Sequence, residues 1–574
     1  MTHLARYLPI TSWLLRYRGS FLGQDLGAGL TTACMLIPQS MAYAMLAGLA
    51  PVTGLYAATL PLFGYVVFGT SRELAVGPTA VLALLVAHGV APFANGDATQ
   101  YLACAVLLAF LVGLVQLVMG LARAGFLTNF LAHPVTSGFA SAAGVIIGVS
   151  QLPQLLGLAV PADAGPIGTL RLVVDHAGDV RPATAALGLG AVLALVLAAR
   201  YLPRWPSALA VVVIGTILCW ACRLDQHGVV VVGPVSEGLP RLTVPELGLA
   251  RVRALLSTAL TIAFVGYVIA IAIGKSLAER SRYDIDPNQE LVALGAANLA
   301  ASLVGAFPVG AGPSRSVVNT RAGARTQLAS LVTATVVVLA LLLFMPVLRF
   351  LPLAVLSAIV LTAALSLIEV REARRLWRIQ KSDLALLMLT FGATLAVGME
   401  EGVLAGVGAS LTWFVIRSTH PHFAVLGRVP GTRVYRDVAH FPEAETSPHI
   451  LVLRMDAQFY FGNMTFLRDT LRRLEHDMQE PLRAVIIDGS SINHLDSSAD
   501  RALVEVCSDY ASRGIYLYFA GAKAPVTGLM RRSGFLERLG RERFCLDVAD
   551  AVSHASAVVS GAASAEPPHC SDRE

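Results

Sequence analysis

Apolar residues fall in long blocks instead of alternating. A helix needs about 20 of them to cross hydrocarbon, and suitable blocks occupy 25–47, 52–69, 99–122, 132–150, 183–200, 207–222, 252–276, 288–306, 326–346, 351–368, 383–399 and 401–417. Two shorter blocks, 74–88 and 312–323, sit at Gly/Pro breaks: Gly77-Pro78, and Gly310-Ala311-Gly312-Pro313. Counted as broken helices, they are the third and tenth of fourteen segments, their prolines 235 residues apart. The chain therefore reads as seven plus seven. An odd number per half makes the halves inverted, so the broken helices enter from opposite sides, as in secondary transporters. The expected fold is a polytopic α-helical membrane protein, 14 transmembrane segments in a 7+7 inverted repeat, followed by an α/β domain. Similarity between the halves is weak, so the repeat is read from topology.

Charge sharpens this picture. Of 574 residues, 81 are charged, or 14%, against roughly 25% in a soluble domain. Residues 1–429 hold 45 of them, while 430–560 hold 32, a normal soluble density. Lipid for the first part and water for the second excludes a soluble enzyme, a fibrous protein and a disordered chain. The formal net charge of +5 is dispersed, and no nucleic-acid partner is expected. With the N-terminus inside, the inner loops carry Arg72, Arg123, Arg200 and Arg204, Lys275, Arg280 and Arg282, Arg321 and Arg325, and a cluster from Arg371 to Lys381. All are basic, as the positive-inside rule asks. Residues 1–24 form an N-terminal cytoplasmic segment without a cleavable signal pattern. The last span ends at Arg417, which puts the 430–560 domain in the cytoplasm, and the Ala/Ser/Pro-rich tail 561–574 is expected to be disordered.

Candidate chemistry sits at the breaks. Proline suits the first turn of a helix, so Pro78 and Pro313 read as helix starts. Each start exposes unpaired N–H groups and about half a positive charge, and two of them facing each other make an anion receptor. Arg315 lies two residues into the second helix, and Thr79, Ser314 and Ser316 offer hydroxyls to an oxyanion. The competing account is that Arg315 merely neutralises a buried carboxylate or a helix end. No metal or cofactor is expected. Cys219 and Cys222 form C-x-x-C inside an apolar run, and Asp284-x-Asp286-x-Asn288 has Gln289 where a calcium loop has glycine.

Several ordered motifs resemble the sulfate permease (SulP) family, whose animal relatives are anion exchangers and the motor protein prestin. They are Leu36-Ile37-Pro38-Gln39-Ser40-Met41-Ala42-Tyr43-Ala44, Gly54-Leu55-Tyr56, Gly69-Thr70-Ser71-Arg72, Val76-Gly77-Pro78, Asp286-Pro287-Asn288-Gln289-Glu290, Ser314-Arg315-Ser316-Val317-Val318-Asn319 and Ala322-Gly323-Ala324-Arg325-Thr326. Thr53 departs from the aromatic usual before Gly-Leu-Tyr. The resemblance implies a core domain moving against a gate domain as an elevator, with substrate between the third and tenth helices. Carried over residue by residue, the substrate site is Gln39, Tyr43, Thr79, Ser314 and Arg315, with the helix breaks at Gly77, Pro78, Gly312 and Pro313. It also implies a homodimer. Coupled members carry an acid in the eighth helix, three residues after a Gly-aromatic pair. Here the pair is Gly266-Tyr267 and the coupling position is Ile269, which points to exchange or uniport and not proton symport.

Beyond Pro430 the pattern predicts strands at 450–455, 484–488 and 515–519 and helices at 463–479, from about 497, near 525–533 and near 548–557. With Asp456-Ala457-Gln458-Phe459-Tyr460-Phe461-Gly462-Asn463 and Asp496-Ser497-Ser498, this resembles a STAS domain. In stand-alone members a serine at that place is phosphorylated, making Ser497 or Ser498 a regulatory candidate; the alternative is that both cap a helix. A cytoplasmic protein partner through this domain is expected. The reading is an inner (plasma) membrane transporter of small anions, sulfate first, then bicarbonate, chloride or dicarboxylates. Rival readings are an anion-responsive scaffold signalling through the STAS domain and a nucleobase-type carrier, against which the absence of site carboxylates speaks.

Overall fold

The computed structural model describes residues 8–93, 97–130, 132–158, 165–202, 206–233, 238–344 and 349–561, the side chains of 128–130 excepted. Arg204, residues 1–7 of the N-terminal segment and the tail from 562 lie outside them. The chain divides into two compact units, Met1–Ser410 and Leu411–Glu574.

The first unit is helical. Its main elements are α1 (Leu22–Leu46), α2 (Pro51–Phe68, interrupted at 57–59), β1 (Val76–Gly77), α3 (Ala80–Val90), α4 (Ala98–Leu121), α5 (His133–Ser150), α6 (Pro182–Tyr201), α7 (Ser207–Ala221), α8 (Leu249–Ser281), α9 (Pro287–Leu303), β2 (Gly310–Ala311), α10 (Pro313–Arg321), α11 (Leu328–Leu343), α12 (Leu353–Leu365), α13 (Lys381–Ala396) and α14 (Met399–Thr419). Among the described residues, α2, α4, α5, α6, α8, α12 and α14 are long and apolar enough to cross a membrane, α5 and α12 together with the short helices that follow them. Each predicted apolar block falls on one of these helices. The broken third segment is displaced: its helix begins at Ala80, after an extended stretch.

The packing repeats with a period of seven helices. α4 packs on α9, and the equivalent pair α11 and α2 also packs; α4–α8 corresponds to α11–α1, α3–α8 to α10–α1, and α5–α13 to α12–α6. Two bundles result, α1–α4 with α8–α11 and α5–α7 with α12 and α13, and α1 bridges them by touching α7 and α12; Gly406 of α14 lies against Val135 of α5 and Thr390 of α13. Small residues set the closest approach. A Cβ on Gly113 of α4 would stand 2.7 Å from Leu299 N, and one on Gly295 of α9 2.8 Å from Leu117 N. Backbones this close gain dispersion that lipid cannot offer.

The C-terminal unit contains β3 (Phe423–Arg428), β4 (Tyr435–Asp437), β5 (Ile450–Met455), α15 (Met464–His476), β6 (Ala484–Asp488), α16 (Ser497–Ser512), β7 (Tyr516–Ala520), α17 (Ala524–Arg532), α18 (Phe535–Leu539), β8 (Phe544–Cys545) and α19 (Val548–Val559). The sheet order is β4-β3-β5-β6-β7-β8, with β5 to β8 parallel. The continuous apolar runs of β5 and β6 follow from burial on both faces. The sheet begins at Phe423, ahead of the boundary expected at 430, because β3 pairs antiparallel with β5.

Candidate anion site

The chain comes to the crossing point twice as an extended dipeptide. β1 and β2 pair antiparallel, Val76 opposite Ala311 and Gly77 opposite Gly310, and Gly312 N donates to Ala75 O at 3.0 Å. Each strand turns into a helix, α3 or α10. Because the strands are antiparallel, the helices leave in opposite directions and their N-termini meet at the crossing.

Pro313 is the first residue of α10, with Gly312 as its N-cap, the position where a missing N–H costs nothing. Pro78 is not a helix start: Thr79 is the N-cap of α3 and the helix begins at Ala80. Proline's fixed φ suits the extended approach equally well. Gly77, at φ +151°, adopts a conformation that other residues rarely reach. Among the described residues, the N–H groups of Val81 and Leu82 in α3, and of Ser314 and Arg315 in α10, have no acceptor. Thr79 makes no side-chain cap bond, and the exposed Ser314 hydroxyl is likewise without a partner among them.

Arg315 lies between the two tips and is 2% exposed. A Cβ on Gly312 would fall 2.6 Å from its Cζ, and one on Gly77 3.4 Å from its Nη2. The guanidinium therefore folds over its own helix cap and reaches the other. Nη1 donates to Gln39 Oε1 at 3.3 Å, while Nε and Nη2 are buried with no acceptor. Tyr43, also buried, is its electrostatic neighbour. A cation placed at two positive helix ends needs a negative charge to offset its desolvation and repulsion.

No carboxylate supplies that charge among the described residues. The unit buries three acids, Asp25, Glu73 and Glu290, more than its apolar pattern suggests, but each is satisfied elsewhere. Asp25 accepts from the N–H groups of Arg325 and Thr326 and the Thr326 hydroxyl. Glu290 accepts from Tyr65, from Thr70 N and Oγ1, and from Ser71 N. Glu73 accepts from Ser281 and Tyr283. The account of Arg315 as a partner for a buried carboxylate therefore fails.

Ser316 does not offer its hydroxyl to a ligand. It accepts from Ala75 N at 2.9 Å and donates to Gly312 O at 2.8 Å, tying the crossing together. Sequence reasoning missed a second brace. Asn298, fully buried, donates to Gln116 Oε1 and Val309 O and accepts from Val309 N, fixing the entry to β2. A buried amide inside an apolar helix was the available signal. Ile269 is partly buried against the core. One turn earlier on α8, a Cβ on Gly266 would contact Leu82 in the first turn of α3, so α8 flanks the site with no ionisable group at the coupling position.

In the second unit, Ser497 and Ser498 are the first two residues of α16 and are exposed. The cap is Asp496, which accepts from Ala499 N at 2.7 Å and from Phe461 N at 3.0 Å. Neither serine has a capping role.

Residues 22–390 match the model of the sulfate permease family, and residues 441–551 that of the STAS domain. Sulfate transporter 4.1, chloroplastic, of Arabidopsis thaliana is 36% identical over 563 residues, covering 95% of this chain and 82% of that protein. A probable sulfate transporter of Mycobacterium tuberculosis is 34% identical over 549 residues, covering 96% and 98%. Among solved structures, murine Solute Carrier 26 family member A9, an anion transporter in the inward-facing state, aligns with TM-score 0.88 and 26% identity over 96% of this chain and 94% of that one. The transmembrane domain of the cyanobacterium bicarbonate transporter BicA aligns with TM-score 0.60 and 26% identity, covering 69% and 98%.

Proposed function

We propose that this chain, which belongs to the sulfate permease family and is one of its multi-pass anion transporters, not an enzyme, binds sulfate at Arg315 and carries it by an elevator movement. One observation carries the reading: a buried guanidinium whose Nε and Nη2 have no acceptor among the described residues, set between two helix N-termini. A dehydrated oxyanion would take hydrogen bonds from Arg315, from the free N–H groups of α3 and α10, and from the Thr79 and Ser314 hydroxyls, with Gln39 and Tyr43 closing the opposite wall. The bundle of α1–α4 and α8–α11 holds all these groups and would move as the carrier against α5–α7 and α12–α14.

Sulfate comes first because the relatives are named as sulfate transporters. Bicarbonate is the second reading, favoured by a single fixed cation suited to a monoanion and by the likeness to a bicarbonate transporter. Ile269 cannot take up a proton with the anion, which supports exchange or uniport. We further assign the chain to the inner membrane as a homodimer, with the C-terminal domain inside as a contact for a protein partner and Ser497 or Ser498 as its modification site. Counterflow of labelled sulfate and bicarbonate in proteoliposomes, with and without an imposed pH or sodium gradient, tests the transport reading. Sulfate exchange without a gradient supports it, and uphill accumulation driven by the pH gradient alone contradicts exchange.

A further inference from the structure

A cavity of about 460 Å³ opens among the N-terminal helix Ile10–Leu14, the loop after α2, the start of α9 and the entry to α11. Its walls include Trp13, Arg72, Tyr283, Asp284, Arg325 and Gln327. Two buried polar atoms of these walls have no partner among the described residues: Trp13 Nε1, a donor, and Gln327 Oε1, an acceptor. Gln327 is only 3% exposed. Its Nε2 donates to the carbonyls of Gly69 at 2.9 Å and Ser71 at 2.7 Å. Those two acceptors fix the amide orientation and leave Oε1 as an acceptor with no donor among the described residues.

The cavity also carries charged groups of both signs. Arg72 lies over the Tyr283 ring, 4.7 Å from its centroid, and Arg325 uses Nε on Gln24, which leaves its terminal nitrogens for a ligand. The same cavity also presents the Gln327 oxygen and the exposed Asp284 carboxylate. Asp286, also on the wall, uses Oδ1 to cap α9 through Asn288 N and Gln289 N. An occupant that fits these groups has an anionic group for the indole N–H and the guanidinium groups, and an N–H-bearing cation for the amide oxygen and the carboxylate. Beside Trp13, Leu14 is 56% and Leu15 86% exposed, a surface for hydrocarbon at the mouth.

We propose that this cavity binds a phosphoethanolamine group, carried as the headgroup of a phosphatidylethanolamine. The site does not depend on the transport reading, but it bears on the crossing. Gly69–Ser71 lead into β1 and Arg325–Gln327 follow α10, so an occupant ties together the ends of both broken segments that lie away from the crossing.

The test titrates the detergent-solubilised full-length protein with dioctanoyl phosphatidylethanolamine, dioctanoyl phosphatidylcholine and free phosphoethanolamine, following binding by calorimetry. Saturable binding of the ethanolamine lipid is expected, about tenfold tighter than the choline lipid, whose trimethylammonium has no N–H for Gln327. Trp13→Phe and Arg325→Gln, which keep the surrounding shape, are each expected to weaken it about tenfold. Free phosphoethanolamine binding as tightly as the lipid supports the same chemistry and reassigns its source to a soluble molecule. Equal binding of the two lipids, no saturable binding of either, or an unchanged affinity in the Trp13→Phe, Arg325→Gln double variant overturns the proposal.

Discussion

Arg315 Nη1 donates to Gln39 Oε1 across 3.3 Å, joining α10 to α1 and leaving Nε and Nη2 with no acceptor. The residue before Gln39 is Pro38, buried inside α1. Its missing N–H frees the Cys34 carbonyl and loosens the helix one step before the glutamine. A neutral amide orients the guanidinium without cancelling its charge, so the positive potential stays available to a ligand.

Gly312 sets where that charge lies. An added methyl would stand 2.6 Å from Arg315 Cζ, and the guanidinium must shift to relieve it. Gly312→Ala is expected to lower the apparent affinity for sulfate by about ten- to a hundredfold, as misplacements of about 1 Å do elsewhere, while the protein still purifies as a folded species. Initial uptake rates over a range of sulfate concentrations check this.

Two serines two positions apart should behave oppositely. Ser316→Ala leaves Ala75 N–H buried without an acceptor, at a cost of about 1–3 kcal/mol, and is expected to lower thermal stability. Ser314→Ala removes only an exposed hydroxyl and is expected to leave the melting temperature alone while weakening sulfate binding. Parallel melting and uptake curves distinguish them.

The C-terminal unit has a pH signature. Burial raises the Asp500 carboxyl above its ordinary value, partly offset by the bond from Ser533 and by the charge of Arg538. The folded state thus holds this proton to higher pH than the unfolded chain. Its contribution to stability is full below the unfolded pKa and is lost as pH rises through the folded one. Asp500→Asn is expected to stabilise the unit near neutral pH and to remove the loss of stability that accompanies a rise in pH above the ordinary carboxylate range, as followed by hydrogen exchange in α16.

Long apolar blocks, the breaks at Gly77 and Pro313, and the strands at 450–455 and 484–488 were legible because each leaves a local mark: length, a missing N–H, an unbroken β-branched run. The β1–β2 pairing was not, since two-residue strands carry no period and their partners lie far apart in the chain. For the same reason Pro78 was placed on a helix it only precedes. Ser316 looked like a ligand group because its true partner, Ala75 N, comes from the other half of the chain. Asp25 and Glu290 lie near the first residues of their apolar blocks, yet both are buried, because backbone and hydroxyl donors from loops distant in sequence converge on them. β3 and β4 escaped notice because they form an edge hairpin, and exposed Arg428 and Arg436 dilute their apolar pattern.

The central claim is that Arg315 is held in place for an anion and not for a protein acid. The direct measurement is sulfate counterflow by Arg315→Gln in proteoliposomes, paired with its melting temperature. Losing two charge-assisted hydrogen bonds of about 1.5 kcal/mol each should slow counterflow at low sulfate by roughly a hundredfold. The melting temperature should hold or rise, because an uncompensated buried charge is gone. Sulfate exchange at the rate of the unaltered protein, or a collapse in stability like that of a broken buried ion pair, would contradict it.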